Sequence, residues 1–330
     1  MLDLQNLEIS FAMEVVTQAA RLVELVQREM VSSALTKEDR SPVTIADFAS
    51  QALVASRLAD QFPAAVLVGE ESAQALRSPA EAEKLDQVTA FVHEFVPQAT
   101  PEKVCDWIDR GSAAPGTRFW TLDPIDGTKG FLRGDQYAVA LALVSAGQVQ
   151  IGALGCPNLS IDGQPDFDGP GSLLVAARGE GAWMLPLDGQ GTARRLAVSD
   201  RNDPAQARLM RSFEAGHTNV SQIDEFAAAL GIQAEPVRMD SQAKYAVLAA
   251  GGGELILRLL SPKAPDYKEK IWDQAAGALI VEEAGGRVSD LHGKALDFTA
   301  GRTLKHNRGI LVSNGWLHEP ALAALRQIRA

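Results

Sequence analysis

The chain has 330 residues, a formal net charge of −11, 46% hydrophobic residues and 22% charged residues. This is the composition of a soluble globular protein built as one large fold or two packed domains, and its acidity excludes a general nucleic-acid surface. Only Cys105 and Cys156 are present, which excludes a disulfide framework, and neither a leader segment nor an apolar run of membrane-spanning length occurs, so the cytoplasm is the expected location.

Apolar side chains at helical spacing (Leu7, Phe11, Val15, Ala19, Leu22, Val26) predict an amphipathic helix over 5–30. The polar run 32–41 reads as an exposed loop. A second helix starts at Pro42 and carries Asp47 in its first turns. Residues 64–68 form a strand ending at Gly69-Glu70-Glu71-Ser72, and 80–97 form a helix with an acidic start. The run from Phe119 is a buried strand that Pro124 and Gly127 then turn, leaving Asp123 and Asp126 together at a strand end. Hairpins follow, 137–144 with 149–155 and 172–177 with 181–185. Between them lies a Gly-, Asp- and Pro-rich loop, 159–172, whose acids lack calcium-loop spacing. A short strand is expected at 194–197.

Past a polar linker near 200–206 the pattern alternates. Strands are expected at 209–213, 235–238, 254–259, near Arg287 and at 309–313, with helices at 221–230, 241–250, 273–285 and 316–328. The chain thus divides into 1–205, an antiparallel sheet with flanking helices, and 206–330, an α/β unit.

The chemistry gathers in acids at element ends: Asp47, Glu70 with Glu71, Asp123 with Asp126, and Asp273. Each has an ordinary reading by itself. Asp273 can be an N-cap, Asp47 a first-turn acid favoured by the helix dipole, Glu70 and Glu71 solvated loop charges, and Asp126 with Thr128 an Asx turn. Together they suit another task. Close carboxylates repel and raise one another's pKa unless a cation lies between them, and oxygen-only ligands suit a hard ion such as Mg²⁺. Two ions about 3.5–4 Å apart clamp the attacking water and leaving oxygen of a phosphate ester. Helix N-termini after Asp126 and Asp273 offer N–H groups to an anion. Gly127 lets a phosphate approach the backbone, and the Thr128 hydroxyl can orient water.

Trp120-Thr121-Leu122-Asp123-Pro124-Ile125-Asp126-Gly127-Thr128 and Trp272-Asp273-Gln274-Ala275-Ala276-Gly277, with Gly69-Glu70-Glu71-Ser72 and the segment 41–47, resemble in order the signatures of the inositol monophosphatase superfamily of Mg²⁺-dependent, lithium-sensitive phosphatases. Lys129-Gly130-Phe131-Leu132-Arg133, Asp240-Ser241-Gln242-Ala243-Lys244-Tyr245 and the run from Asp266 to Asp273 are similar to its 3′(2′),5′-bisphosphate nucleotidases. The resemblance implies an α/β fold, the five-layered αβαβα sandwich, with the site between the two domains. It implies conversion of adenosine 3′,5′-bisphosphate to AMP and phosphate within sulfur metabolism, with two or three Mg²⁺ ions.

Carried over residue by residue, the metal ligands are Asp47, Glu70, Asp123, Asp126, Asp273 and the carbonyl of Ile125, and the water-activating pair is Asp39 and Thr128. Substrate contacts fall on Gly127, Thr128, Ser212, Glu214, His217, Ser241, Lys244, Arg258 and Lys270, with Tyr245 or Tyr267 against the adenine. Ser241 and Lys244 are expected on one helix face. Two features depart from the pattern: Gln274 stands where relatives often have His, and the 159–172 insert matches no motif. The implied partner is a small phosphorylated nucleotide, with no nucleic-acid polymer, membrane or obligate protein partner. The alternatives are an inositol polyphosphate 1-phosphatase or broad sugar phosphatase of the same superfamily, and a sensor that binds metal or nucleotide without turnover.

Overall fold

Residues 138–145 are buried on both faces, so a layer must cover each side of the sheet they belong to. The structure, a computed structural model, describes residues 2–31, 41–213 and 220–329. Asp39 and most of the 32–41 loop, together with Glu214 and His217, lie outside the described residues.

The first helices are α1 (Leu7–Met30), α2 (Ser41–Gln61), α3 (Ala82–Phe95), α4 (Pro101–Asp109) and the short α5 (Thr128–Arg133). The first seven-stranded sheet runs in chain order: β1 (Leu67–Gly69), β2 (Arg118–Asp126), β3 (Ala138–Ser145), β4 (Gln148–Cys156), β5 (Ser172–Ala177), β6 (Gly181–Pro186) and β7 (Arg194–Arg195). Only the β1–β2 pairing is parallel. Side chains alternate along β3 as pleating requires. Val139, Leu141 and Leu143 join the core under α1 and α2. Ala138, Ala140 and Ala142 join a second core on the opposite face.

That second core is shared with α7 (Ala243–Ala249) and α8 (Ala275–Glu283), which follow α6 (Val220–Leu230) in the chain. It also includes Met210, Ile256 and Val312 from the other sheet. This five-stranded sheet has the order β11-β12-β10-β8-β9, from β8 (Leu209–Arg211), β9 (Val237–Arg238), β10 (Leu255–Arg258), β11 (Arg287–Ser289) and β12 (Ile310–Ser313). Its far face packs on α6 and α9 (His318–Gln327) through Ile223, Phe226, Leu322 and Leu325. The layers therefore read αβαβα. Among the described residues no helix is long and apolar enough to cross a membrane.

The small residues of β3 and β4 let α8 come close. A Cβ on Gly152 would lie 2.8 Å from the Ala276 carbonyl oxygen, a backbone atom that cannot swing away. Gly152→Ala is expected to cost about 1–3 kcal/mol through overpacking, checked by denaturant unfolding. An unchanged midpoint would refute this tight contact.

Two expectations need correction. The chain reading contains no helix at 101–109, yet α4 forms there. Thr100 accepts from the Lys103 N–H (3.3 Å), and Pro101 occupies the first turn. Pro124 does not turn the chain. Asp123 pairs with Ala140 and Asp126 with Ala138, so β2 fits one more residue than β3 between these pairs. The proline, with no N–H to donate, lies in that bulge.

Candidate active site

The turn comes instead at Gly127, whose φ of 92° is left-handed and opens α5. A Cβ there would lie 2.7 Å from the Ser241 Cβ. Ser241 is itself a non-glycine at φ 64°, and it precedes α7 rather than lying in it. The expected shared helix face of Ser241 and Lys244 is thereby corrected. Both residues nevertheless line one cleft of about 340 Å³, with Glu70, Asp123, Ile125, Asp126, Gly127, Thr128, Ser212, Arg258, Tyr267, Lys270 and Asp273.

One wall of the cleft is acidic. Asp123 is 3% exposed, and its Oδ1 has no hydrogen-bond partner. Burial raises its pKa well above the usual carboxylate range, and the charges of Glu70, Asp126, Asp273 and Asp47 raise it further. Asp126 is raised by burial, while Arg258, Lys244 and the Gln242 N–H (2.7 Å) pull the other way. Asp273 is raised by burial against the opposing charge of Arg258. Glu70, exposed at the rim, is raised by burial of its carboxylate and by Asp126. Glu71 is pushed up to about 7 by burial and by Glu70. Asp47 is buried in α2 behind this wall, raised by burial and by Glu71 and Glu70, which removes its reading as an exposed dipole acid. Asp273 is not an N-cap either: Gln274 holds that position, and Asp273 turns to Arg258 (3.7 Å).

Among the described residues no three carboxylate, thiolate or imidazole side chains close on a single point. They line a wall and repel one another. An unpartnered buried oxygen among anionic, oxygen-only donors is the chemistry that a hard cation satisfies, so these residues fit Mg²⁺.

Basic residues line the same cleft. Lys244 Nζ donates to Ser212 Oγ (2.6 Å). Burial and then Arg258 lower its pKa to about 8, against the pull of Asp126, Asp240 and Glu269. Arg258 is held by Glu269 (2.9 Å), which also accepts from Gln274 Nε2 (3.0 Å). Gln274 in turn accepts from the Tyr245 hydroxyl. Gln274 is fully buried and does not line the cleft, so the departure it marks concerns how Arg258 is held. Both tyrosines line the cleft, but Tyr245 is 2% exposed with its ring against Gly277, whereas Tyr267 is 41% exposed.

A family model described as the inositol monophosphatase family matches residues 5–330. The chain belongs to the inositol monophosphatase family. It is 41% identical to a 3′(2′),5′-bisphosphate nucleotidase of Schizosaccharomyces pombe, covering 96% of this chain and 94% of that protein. It is likewise 41% identical to one from Oryza sativa, covering 97% and 93%. Among solved structures, Mycobacterium tuberculosis SuhB aligns with a TM-score of 0.63 at 22% identity over 97% of this chain and 96% of that one. CysQ from Bacteroides thetaiotaomicron, described as a bacterial member of the family, aligns at 0.62 and 17% over 93% and 97%. At such identities these two speak for the fold.

Sequence reasoning missed Gln51, Gln242 and Arg302. Gln51 of α2 donates to the carbonyls of Glu71 (2.8 Å) and Ile108 (2.7 Å) and accepts from the Glu71 N–H (3.0 Å). Gln242 contacts Asp126 through its backbone, donates to the Trp272 carbonyl (3.1 Å) and accepts from the Gly277 N–H (3.0 Å). Gln242 stood inside a recognised motif and was within reach of the sequence. Gln51 and Arg302 carried no local signal.

Proposed function

We propose that this protein is a Mg²⁺-dependent phosphomonoesterase that removes the 3′-phosphate of adenosine 3′,5′-bisphosphate to give AMP and phosphate. The observation that carries the reading is that one cleft is lined both by acids (Asp123, Asp126, Asp273, Glu70) and by bases (Lys244, Arg258, Lys270). A substrate with two phosphates would meet the acids through the cations they hold and the bases directly, and the names of the relatives supply its class.

In this reading Asp47, Glu70, Asp123, Asp126, Asp273 and the Ile125 carbonyl hold the metal. Bound Mg²⁺ supplies positive charge to the phosphoryl oxygens and lowers the pKa of a water nucleophile. Thr128, exposed at the start of α5, orients that water, and Asp39 draws the proton through its hydroxyl. Gly127 admits the phosphate to the backbone. Ser212 and Ser241 set Lys244 beside Arg258 and Lys270 for the phosphate that stays. Tyr267 lies against the base, and Glu214 and His217 take the ribose and base contacts. The division at 205 belongs to this reading, with substrate between the two units. Both cysteines are free and buried, which suits the reducing cytoplasm.

The test is phosphate release with Mg²⁺ from adenosine 3′,5′-bisphosphate, inositol 1,4-bisphosphate and inositol 1-phosphate side by side. The nucleotide is expected to have the highest kcat/KM, and preference for either inositol phosphate sinks the proposal. Lys244→Met is expected to raise KM for the nucleotide about 30-fold, the worth of a charge-assisted hydrogen bond. It should change KM far less for inositol 1-phosphate, which lacks the second phosphate.

A further inference from the structure

Arg302 lies far along the chain from the acids of the cleft, in a segment joined to their surroundings by main-chain bonds. The Ile271 N–H donates to the Arg302 carbonyl (3.2 Å) and the Leu304 N–H to the Glu269 carbonyl (2.8 Å), with a bridge between Lys270 and Thr303. The Arg302 backbone is thereby tied to the residues just before Asp273. Its guanidinium carbon lies 4.8 Å from the centroid of the Trp272 ring. From there Nη1 donates to the carbonyls of Gly111 (3.1 Å) and Ala113 (3.3 Å), and Nη2 donates to the carbonyl of Gly69.

Gly69 is the last residue of β1, and Glu70 follows it directly. The other side of this segment is held by Gln51, whose amide bonds Glu71 at both N–H and carbonyl. Gly69 approaches Gln51 closely, since a Cβ there would lie 2.4 Å from Gln51 Oε1. The Gly111 carbonyl also accepts from the Gly69 N–H (2.9 Å). The backbone carrying Glu70 is therefore clamped between α2 and the Arg302 fork.

We infer that Arg302 is a positioning residue that sets the spacing between Glu70, on the β1 end, and Asp273, beside Trp272. An arginine suits the task because its planar fork reaches several carbonyls at once while stacking on the indole. A lysine offers a single compact head and lacks the flat face. The inference rests on the reading of Glu70 and Asp273 as joint metal ligands, and on nothing about the substrate.

The test is Mn²⁺ binding to substrate-free protein, read by electron paramagnetic resonance, for the parent, Arg302→Met and Arg302→Lys. Activity titrated with Mg²⁺ and near-ultraviolet circular dichroism accompany it. Arg302→Met is expected to weaken Mn²⁺ binding about tenfold or more, as loss of a group that orients a ligand does. It should raise the Mg²⁺ concentration for half-maximal rate in parallel, while the nucleotide KM at saturating Mg²⁺ changes less than about twofold. Arg302→Lys, which keeps a donor and the charge, is expected to fall between the two and carries the test if the methionine variant does not fold. A folded variant with parental Mn²⁺ affinity overturns the inference. A parent that binds no Mn²⁺ overturns both the inference and the metal reading beneath it.

Discussion

Asp123→Asn is expected to lower kcat/KM by about a thousandfold, roughly 4 kcal/mol of transition-state stabilisation, while leaving the metal-free protein at least as stable as the parent. The two halves of this expectation have one cause. Asp123 is buried, its Oδ1 is unpartnered, and the surrounding carboxylates raise its pKa. In the proposed reading a bound cation would make its charge tolerable there. The amide keeps the shape and removes the repulsion, so the fold without metal gains by about 1 kcal/mol or more. The function loses the charge that the metal needs. Paired measurements of phosphate release and thermal unfolding in chelator check this. Retention of more than a tenth of the parental rate, or a metal-free variant clearly less stable than the parent, would sink the assignment of Asp123. Asp168→Asn, in the exposed part of the 159–172 insert, serves as a control expected to change neither.

Chelated protein is expected to lose stability as pH rises from about 5 to 8, and Mg²⁺ is expected to restore it more at the upper end. Asp47, Glu70, Glu71, Asp123, Asp126 and Asp273 all have pKa values raised in the fold, burial being the first cause in each. A carboxyl whose folded pKa lies above its unfolded value contributes stability that is fully present below the unfolded pKa. That stability is lost as pH climbs through the folded pKa. For Glu71 the loss runs from the ordinary carboxylate range up to about 7. Mg²⁺ competes with those protons, so its binding strengthens as they leave. At a hundredfold excess over its Kd an ion adds about 2.7 kcal/mol to the folded state. Unfolding temperatures with Mg²⁺ and with chelator, taken across that pH range, decide the matter. A Mg²⁺-induced shift as large at pH 5 as at pH 8 would mean that the raised carboxyls are not its ligands.

Much of this molecule was legible in the chain because its signals are local. Helical spacing over 5–30 gave α1, and the mostly apolar run 137–144, with a Gly turn before 149–155, gave β3 and β4. Asp123, Asp126 and Asp273 announced themselves at element ends within motifs. The Thr100-Pro101 start of α4 was present and went unread. Pro124 misled because a proline usually ends a strand, whereas here a bulge absorbs it.

The sequence by itself determined most of the elements, the acidic residues that line the cleft, and the family to which the chain belongs. Each of these rests on neighbours within a few positions or on motifs read in order. Tertiary structure alone decided what those residues feel. Burial and mutual charge, not position in the chain, raise the acids. The chain does not say that Gln274 would hold Glu269 onto Arg258, that Tyr245 would be buried while Tyr267 is exposed, or that Arg302 would reach back to the Gly69 carbonyl. The Arg302–Gly69 contact joins residues 233 positions apart, and the Gln274–Glu269 and Glu269–Arg258 contacts, though near in the chain, depend on which face of an element is covered. Such distances are set by how the layers stack, and no local pattern encodes them.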